Sequence, residues 1–337
     1  MSRVTQVAER QLILHVGLPK TGTTSLQRSV FPQLESYLGG TEPGGRDKNL
    51  ASELLTLYQG KSGHPNFHSS VWRESVRNWW ASVQAVLPTT TFISLEGLFR
   101  WFDPLSAHPW PLMGDGSSYR SSRIGRHPII DFASSLANEV SPAQLKLVLT
   151  IRNQGDFVAS HYSQLSYRMV GPSQNDFNRK LERLLEAPDP FFDWYTTIGA
   201  LQQIVGEENL LCPIFEDGLD IVAESIIRFV EPAANAVNPN RSNVRSSSDG
   251  WKLDAAPSSS VRSTVRKLWP LDRAPRLRNL MASSGGMVMR ALPDVSKGSD
   301  NRIRLNAQLR QELQSSFRSS NEQLSALLHR NLFDLGY

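Results

Sequence analysis

Between Gly17 and Ser25 the chain places two glycines, one lysine and four hydroxyl side chains within nine residues: Gly17, Lys20, Thr21, Gly22, Thr23, Thr24 and Ser25. Backbone N–H groups laid bare by glycine, together with hydroxyl donors and a cation, grip phosphate-like anions. The G-x-x-x-x-G spacing matches a nucleotide-triphosphate loop, but Thr23 stands where that signature requires lysine. The lysine is Lys20, inside the loop and directly after Pro19. Such a loop holds a phosphate while its cation addresses a different bond, which disfavours an ordinary NTPase. A second pair follows at Arg152 and Ser160, a planar fork of donors and a hydroxyl eight residues apart, or about two helical turns. A carboxylate, Glu96, closes a third apolar segment and is available as a base.

Elements that place these groups are readable from periodicity. Leu12, Ile13, Leu14 and Val16 form an apolar run that predicts a buried strand over 11–17, and Leu26, Val30, Phe31 and Leu34 fall at helical spacing over 24–38. The run 144–152 predicts an interior parallel strand. It ends in Arg152 instead of a Mg²⁺-binding aspartate, and Asn153 with Asp156 three residues on forms a variant capping box. Strands are also expected over 90–96, which ends in Glu96, and over 209–215. Helices are expected near 47–60, 69–86, 128–139, 154–169, 175–187, 191–205, 218–231 and 304–332. Strands alternating with helices predict an α/β fold, a P-loop NTPase-like parallel sheet flanked by helices on both faces.

The text PKTGTTSLQ resembles the 5′-phosphosulfate loop of sulfotransferases that use 3′-phosphoadenylyl sulfate (PAPS), and LTIRNQGDFVASHY resembles the same family's 3′-phosphate segment. The likeness is nearest to bacterial, carbohydrate-sulfotransferase-like members. FFDWYTTIGALQQIVGEENLL, PIFEDGLD and the closing SSNEQLSALLHRNLFDLGY are similar to that family's text as well, whereas 39–90, 100–127 and 245–300 are not covered. The resemblance implies transfer of a sulfuryl group from PAPS to an acceptor hydroxyl, with PAP as product and no metal required. It implies that Pro19, Lys20, Thr21, Gly22, Thr23, Thr24 and Ser25 hold the 5′-phosphosulfate, Lys20 acting on the bridging oxygen. It further implies that Arg152 and Ser160 clasp the 3′-phosphate, that Arg241 and Arg245 add late basic contacts, and that Glu96 is the catalytic base. Histidine is the base in the small-molecule branch. Here His15 reads as core and His161 as structural, while His64, His68, His108 and His127 fall where nothing assigns them.

With 337 residues and 39% hydrophobic content, one enzyme domain of this kind is expected over 1–337. No apolar stretch is long enough for a transmembrane span, and the first residues lack the apolar core of a signal peptide. The single cysteine, Cys212, rules out an internal disulfide framework and a multi-cysteine zinc site. A cytoplasmic enzyme is the expectation. Residues 241–310 carry fourteen Lys and Arg against five Asp, so 241–303 reads as a basic, Ser-rich insertion or as a lid that attracts an anionic nucleotide. No basic motif with interleaved aromatics points to nucleic acid, so the expected partner is a small-molecule or carbohydrate acceptor. Trp101 and Trp110 either stack on that acceptor or pack inward, and Trp72, Trp79 and Trp80 read as helix core. Two other readings stay open: a small-molecule kinase or NTPase with Glu96, Glu216 or Asp217 on Mg²⁺, and a non-catalytic nucleotide-binding protein.

Overall fold

The computed structural model describes residues 10–18, 21–40, 45–59, 70–86, 89–95, 127–141, 144–166, 172–186, 188, 190–234, 250–253 and 302–337. Among them, β1 (Gln11–Val16), β2 (Tyr37–Gly40), β3 (Thr90–Ser94), β4 (Leu145–Leu149) and β5 (Leu210–Leu211) form a parallel sheet in the order β2-β3-β1-β4-β5. β1 lies at the centre, with Leu14 opposite Ile93 on one side and Leu147 on the other. The continuous apolar run needed for burial on both faces is the reason these strands are interior. Leu12, Leu14 and Val16 enter one core with Leu147 and Leu149, and Ile13 enters the other with Phe92 and Val148.

Helices cover both faces. Along the chain they are α1 (Thr23–Ser29), α2 (Lys48–Gln59), α3 (Ser70–Val86), α4 (Pro128–Val140), α5 (Gln154–Leu165), α6 (Gln174–Glu186), α7 (Trp194–Val205), α8 (Leu219–Val230), α9 (Ala307–Ser316) and α10 (Arg318–Leu327). α1 and α8 cover the Ile13 face, where Leu26, Val222 and Ile226 are buried, and α3, α4, α5 and α7 supply the opposite core. This is the expected α/β parallel sheet with helices on both faces. Trp72, Trp79 and Trp80 are buried on α3, as expected, and the indoles of Trp72 and Trp79 donate to the backbone of Leu57 and Leu50 on α2.

Two segments differ from expectation. The helix predicted over 24–38 stops at Ser29, because Pro32 cannot donate to the helical ladder and the chain tightens into a 3₁₀ turn at Phe31–Gln33. The chain then enters β2, a four-residue strand (YLGG) with too little apolar pattern to predict. The helix predicted over 304–332 is two helices, α9 and α10, broken at Phe317. β5 is also shorter than 209–215, although a parallel bridge between Ile151 and Ile214 continues its line.

The ends of the basic segment are anchored. Trp251–Lys252 (β6) pairs antiparallel with Arg302–Ile303 (β7), and Trp251, Leu253 and Ile303 are buried in the main core. Most of 241–303, with Arg241 and Arg245, lies outside the described residues. Among the described residues, no helix is long and apolar enough to cross a membrane.

Candidate anion-binding site

In a parallel sheet the strand order reverses beside β1, because the chain passes from β3 across it to β4, and ligands sit beyond the carboxyl ends at such a point. The loop after β1 and the corner after β4 both emerge there, Val16 being paired with Leu149. Glycine is required twice in the loop. Gly22 has φ 76°, and a Cβ on it would stand 2.7 Å from Leu219 Cδ1; a Cβ on Gly17 would stand 2.5 Å from Thr23 Oγ1. The Thr21 hydroxyl donates to the Leu18 carbonyl at 2.8 Å and lies 3.4 Å from that of Thr23. Thr21, Thr23 and Ser25 are buried, and Thr24 is half-buried. Pro19 and Lys20 lie outside the described residues, as does Glu96 beyond β3.

At the second corner the Asn153 side chain accepts from Asp156 N at 2.9 Å, the predicted cap, and so starts α5 directly after Arg152. That start turns Ser160 back toward the strand end, and Arg152 Nη1 donates to Ser160 Oγ at 3.3 Å. The Arg152 side chain is only 12% exposed. Its guanidinium lies over the Phe215 ring with 4.8 Å to the centroid, and the Trp194 indole donates to the Arg152 carbonyl at 2.9 Å. Burial pulls the guanidinium below its ordinary value, while Asp156 and Glu216 oppose that shift. Phe215 also reaches the loop, its Cε2 3.3 Å from the position of a Cβ on Gly22. One ring therefore lies close to both arms of the site.

Among the described residues, two carboxylates pair with Arg152 at more than hydrogen-bond distance. Asp156 Oδ2 is 3.8 Å from Nη2, and Glu216 Oε1 is 3.9 Å from Nε. Asp156 accepts instead from Arg310 at 2.8 Å. Glu216 Oε1 accepts from Asn153 N at 3.0 Å and Asn153 Nδ2 at 2.8 Å, and its Oε2 accepts from the Tyr337 hydroxyl at 3.2 Å. Burial raises the Glu216 carboxyl above the usual range, opposed by the Asn153 N–H, Arg152 and the Tyr337 hydroxyl. Asp217, the neighbouring acid, pairs with both terminal nitrogens of Arg330.

The histidines near the sheet's edge are packed groups. His15 Nδ1 lies 2.7 Å from Ser94 Oγ. Gln27 Nε2 donates to that same oxygen at 2.8 Å. Burial pushes His15 down to about 3. His127 caps α4, its Nδ1 accepting from Ile129 N at 3.1 Å, and stacks on Phe191; burial pushes it down to about 3 as well. His161 packs between Phe157 and Phe191. His64, His68, His108, Trp101 and Trp110 lie outside the described residues. Cys212 packs against the main core, and burial pushes its thiol up to about 12.

Sequence reasoning brought Arg152 and Ser160 together and missed much of what surrounds them. Asp156 was read only as a capping residue, though its i+4 spacing from Arg152 was a usable signal. Glu216 was weighed only as a metal ligand. Phe215, Trp194, Arg310 and Tyr337 carried no local signal.

No protein-family model matches the chain, and no curated protein matches it. Among solved structures, it is similar to a sulfotransferase from Alicyclobacillus acidocaldarius, at 15% identity over 97% of this chain and 99% of that one, with a TM-score of 0.47. A mouse sulfotransferase complexed with PAP is similar at 12% identity over 97% and 86% of the two chains, with a TM-score of 0.35. A retinol dehydratase in complex with androsterone and inactive cofactor PAP is similar at 15% identity over 93% and 82%, also with a TM-score of 0.35.

Proposed function

We propose that the protein is a sulfotransferase that moves a sulfuryl group from PAPS to an acceptor hydroxyl on a carbohydrate or other small molecule. The observation that carries this reading is the pairing of Arg152 with Ser160 at 3.3 Å beside a lysine-bearing glycine loop, linked through Phe215. The donor set fits the nucleotide. Arg152 offers a planar fork and Ser160 a hydroxyl to a 3′-phosphate, while the loop offers backbone N–H groups and hydroxyls to the 5′ end.

PAPS, when bound, supplies the sulfuryl group and its leaving nucleotide. In this reading Thr21, Gly22, Thr23, Thr24 and Ser25, after Pro19, orient the 5′ end, and Lys20 stabilises the charge that grows there. Arg152 and Ser160 fix the 3′ end, with Arg241 and Arg245 adding basic contacts. Glu96, which follows β3 in the sequence, takes the acceptor's proton. Transfer of this kind relies on positioning and electrostatics more than on covalent help from protein groups.

The kinase reading is weakened by what its carboxylates already do. Glu216 accepts from Asn153 and Tyr337, and Asp217 is held by Arg330, so binding Mg²⁺ there would break three or more existing interactions. Titration calorimetry on the full chain separates the readings. PAP should bind tightly without Mg²⁺, and ADP and ATP far more weakly; Mg²⁺-dependent ATP binding with no preference for PAP would reject the proposal. Turnover of ³⁵S-labelled PAPS across sugars, phenols, lipids and peptides then finds the acceptor, and a protein that binds PAP but transfers to none of them is a non-catalytic binder.

A further inference from the structure

A buried arginine meant to hold a ligand's phosphate must not be neutralised by its own neighbours. Among the described residues, two carboxylates form ion pairs with Arg152, yet both stand at 3.8–3.9 Å, beyond the ~2.7–2.9 Å of a direct charge-assisted hydrogen bond. In each case a second donor, brought from the far end of the chain, holds the carboxylate. Arg310 on α9 draws Asp156 at 2.8 Å, and the Tyr337 hydroxyl binds Glu216 on the oxygen turned away from Asn153.

We infer that Arg310 and Tyr337 are positioning residues that keep Asp156 and Glu216 from closing onto Arg152, and so set the site's affinity for a ligand's 3′-phosphate. The physical reason is competition. A carboxylate relieved of its second donor gains by moving about 1 Å onto the guanidinium, and a phosphate must then displace it. Both residues reach Arg152 only through another side chain, so the effect is on the strength of the clasp and not on a direct contact with ligand. Tyr337 is 2% exposed and Arg310 is 34% exposed at its side chain, so neither substitution below opens a large cavity. Tyr337→Phe removes a single hydroxyl.

This inference rests on the proposed reading of Arg152, and the test separates the two. PAP and adenosine 5′-phosphate, which lacks the 3′-phosphate, are titrated calorimetrically into the wild-type chain, Arg310→Gln, Tyr337→Phe, and the double variants Arg310→Gln/Asp156→Asn and Tyr337→Phe/Glu216→Gln. Each single variant should bind PAP roughly tenfold more weakly, the scale of one charge moving into contact at the effective dielectric of a protein site. Adenosine 5′-phosphate should be unaffected. Each double variant should recover most of the loss, because an amide keeps the shape and an acceptor oxygen but no longer competes. A general structural defect would weaken both ligands together and would not be rescued by removing a carboxylate charge. Single variants that bind PAP like wild type, or losses that the second substitution fails to restore, overturn the inference and leave the sulfotransferase reading standing. A wild-type chain with no preference for PAP over adenosine 5′-phosphate overturns both.

Discussion

The loop after β1 is shaped by backbone, whereas the corner after β4 is shaped by side chains. Among the described loop residues, Gly17 and Gly22 have no Cβ, Gly22 has a left-handed φ, and Thr21, Thr23, Thr24 and Ser25 carry short hydroxyls. At the corner, Arg152 is surrounded by Ser160, Phe215, Asp156 and Glu216, and each of the two carboxylates is held by another group. A backbone cradle recognises the charge and size of a bound group, and its N–H donors are the same in almost any sequence. A side-chain clasp distinguishes one ligand from another, but it must be kept apart from its own counter-charges. The two arms should therefore fail differently.

If the chemistry belongs to the loop side of the sheet edge, the largest effects fall there and on turnover alone. Glu96→Gln keeps shape and hydrogen bonding but removes basicity, so turnover should fall by ~10²–10⁴-fold with PAP affinity and melting temperature near wild type; unchanged turnover on the true acceptor would send the search to the histidines, His108 first. Lys20→Ala should lose about two decades or more of transfer, the scale of removing one charge stabiliser, with a much smaller loss of PAP affinity. Equal losses in both quantities would make Lys20 a ground-state binder. Arg152→Ala should act on binding instead, weakening PAP by roughly one to two decades, as expected for a charge-assisted bond worth about 1.5–3 kcal/mol. Adenosine 5′-phosphate should barely respond; if both ligands weaken alike, the clasp is not a 3′-phosphate clasp.

Smaller effects test the scaffold. Gly22→Ala forces a Cβ into the left-handed region and against Leu219, so denaturant unfolding should report about 1–2 kcal/mol lost; a stability equal to wild type would show that the loop relaxes freely. The buried histidines predict acid sensitivity. His15 and His127 lie at about 3 in the folded protein against an ordinary 6.5, so the unfolded chain binds more protons between these values. Their contribution is fully present above pH 6.5 and declines as pH falls toward 3, each by about 1.4 kcal/mol per pH unit. Asparagine can cap a helix without titrating. His127→Asn should therefore flatten stability against pH by that amount, and an unaltered slope would mean His127 is already charged when folded.

The main elements were legible because their signals are local. A continuous apolar run placed β1 and β4, the Asn153 cap placed the start of α5, and the first two turns of that helix brought Ser160, eight residues on, back to Arg152. β2 was not legible, since four residues with two glycines leave no pattern, and Pro32 ended α1 where hydrophobic spacing continued. The groups that tune Arg152 come from much farther along the chain: Glu216 from beyond β5, Arg310 from α9 and Tyr337 from beyond α10. Sequence by itself thus determined the class of the sheet, the strands that carry the two site-bearing corners and the chemical character of each, because period and capping act over a few residues. Tertiary structure alone decided that Glu216 also faces the guanidinium and which donors hold the two carboxylates off. That balance depends on distances of a few ångströms between segments that only the packed fold brings together.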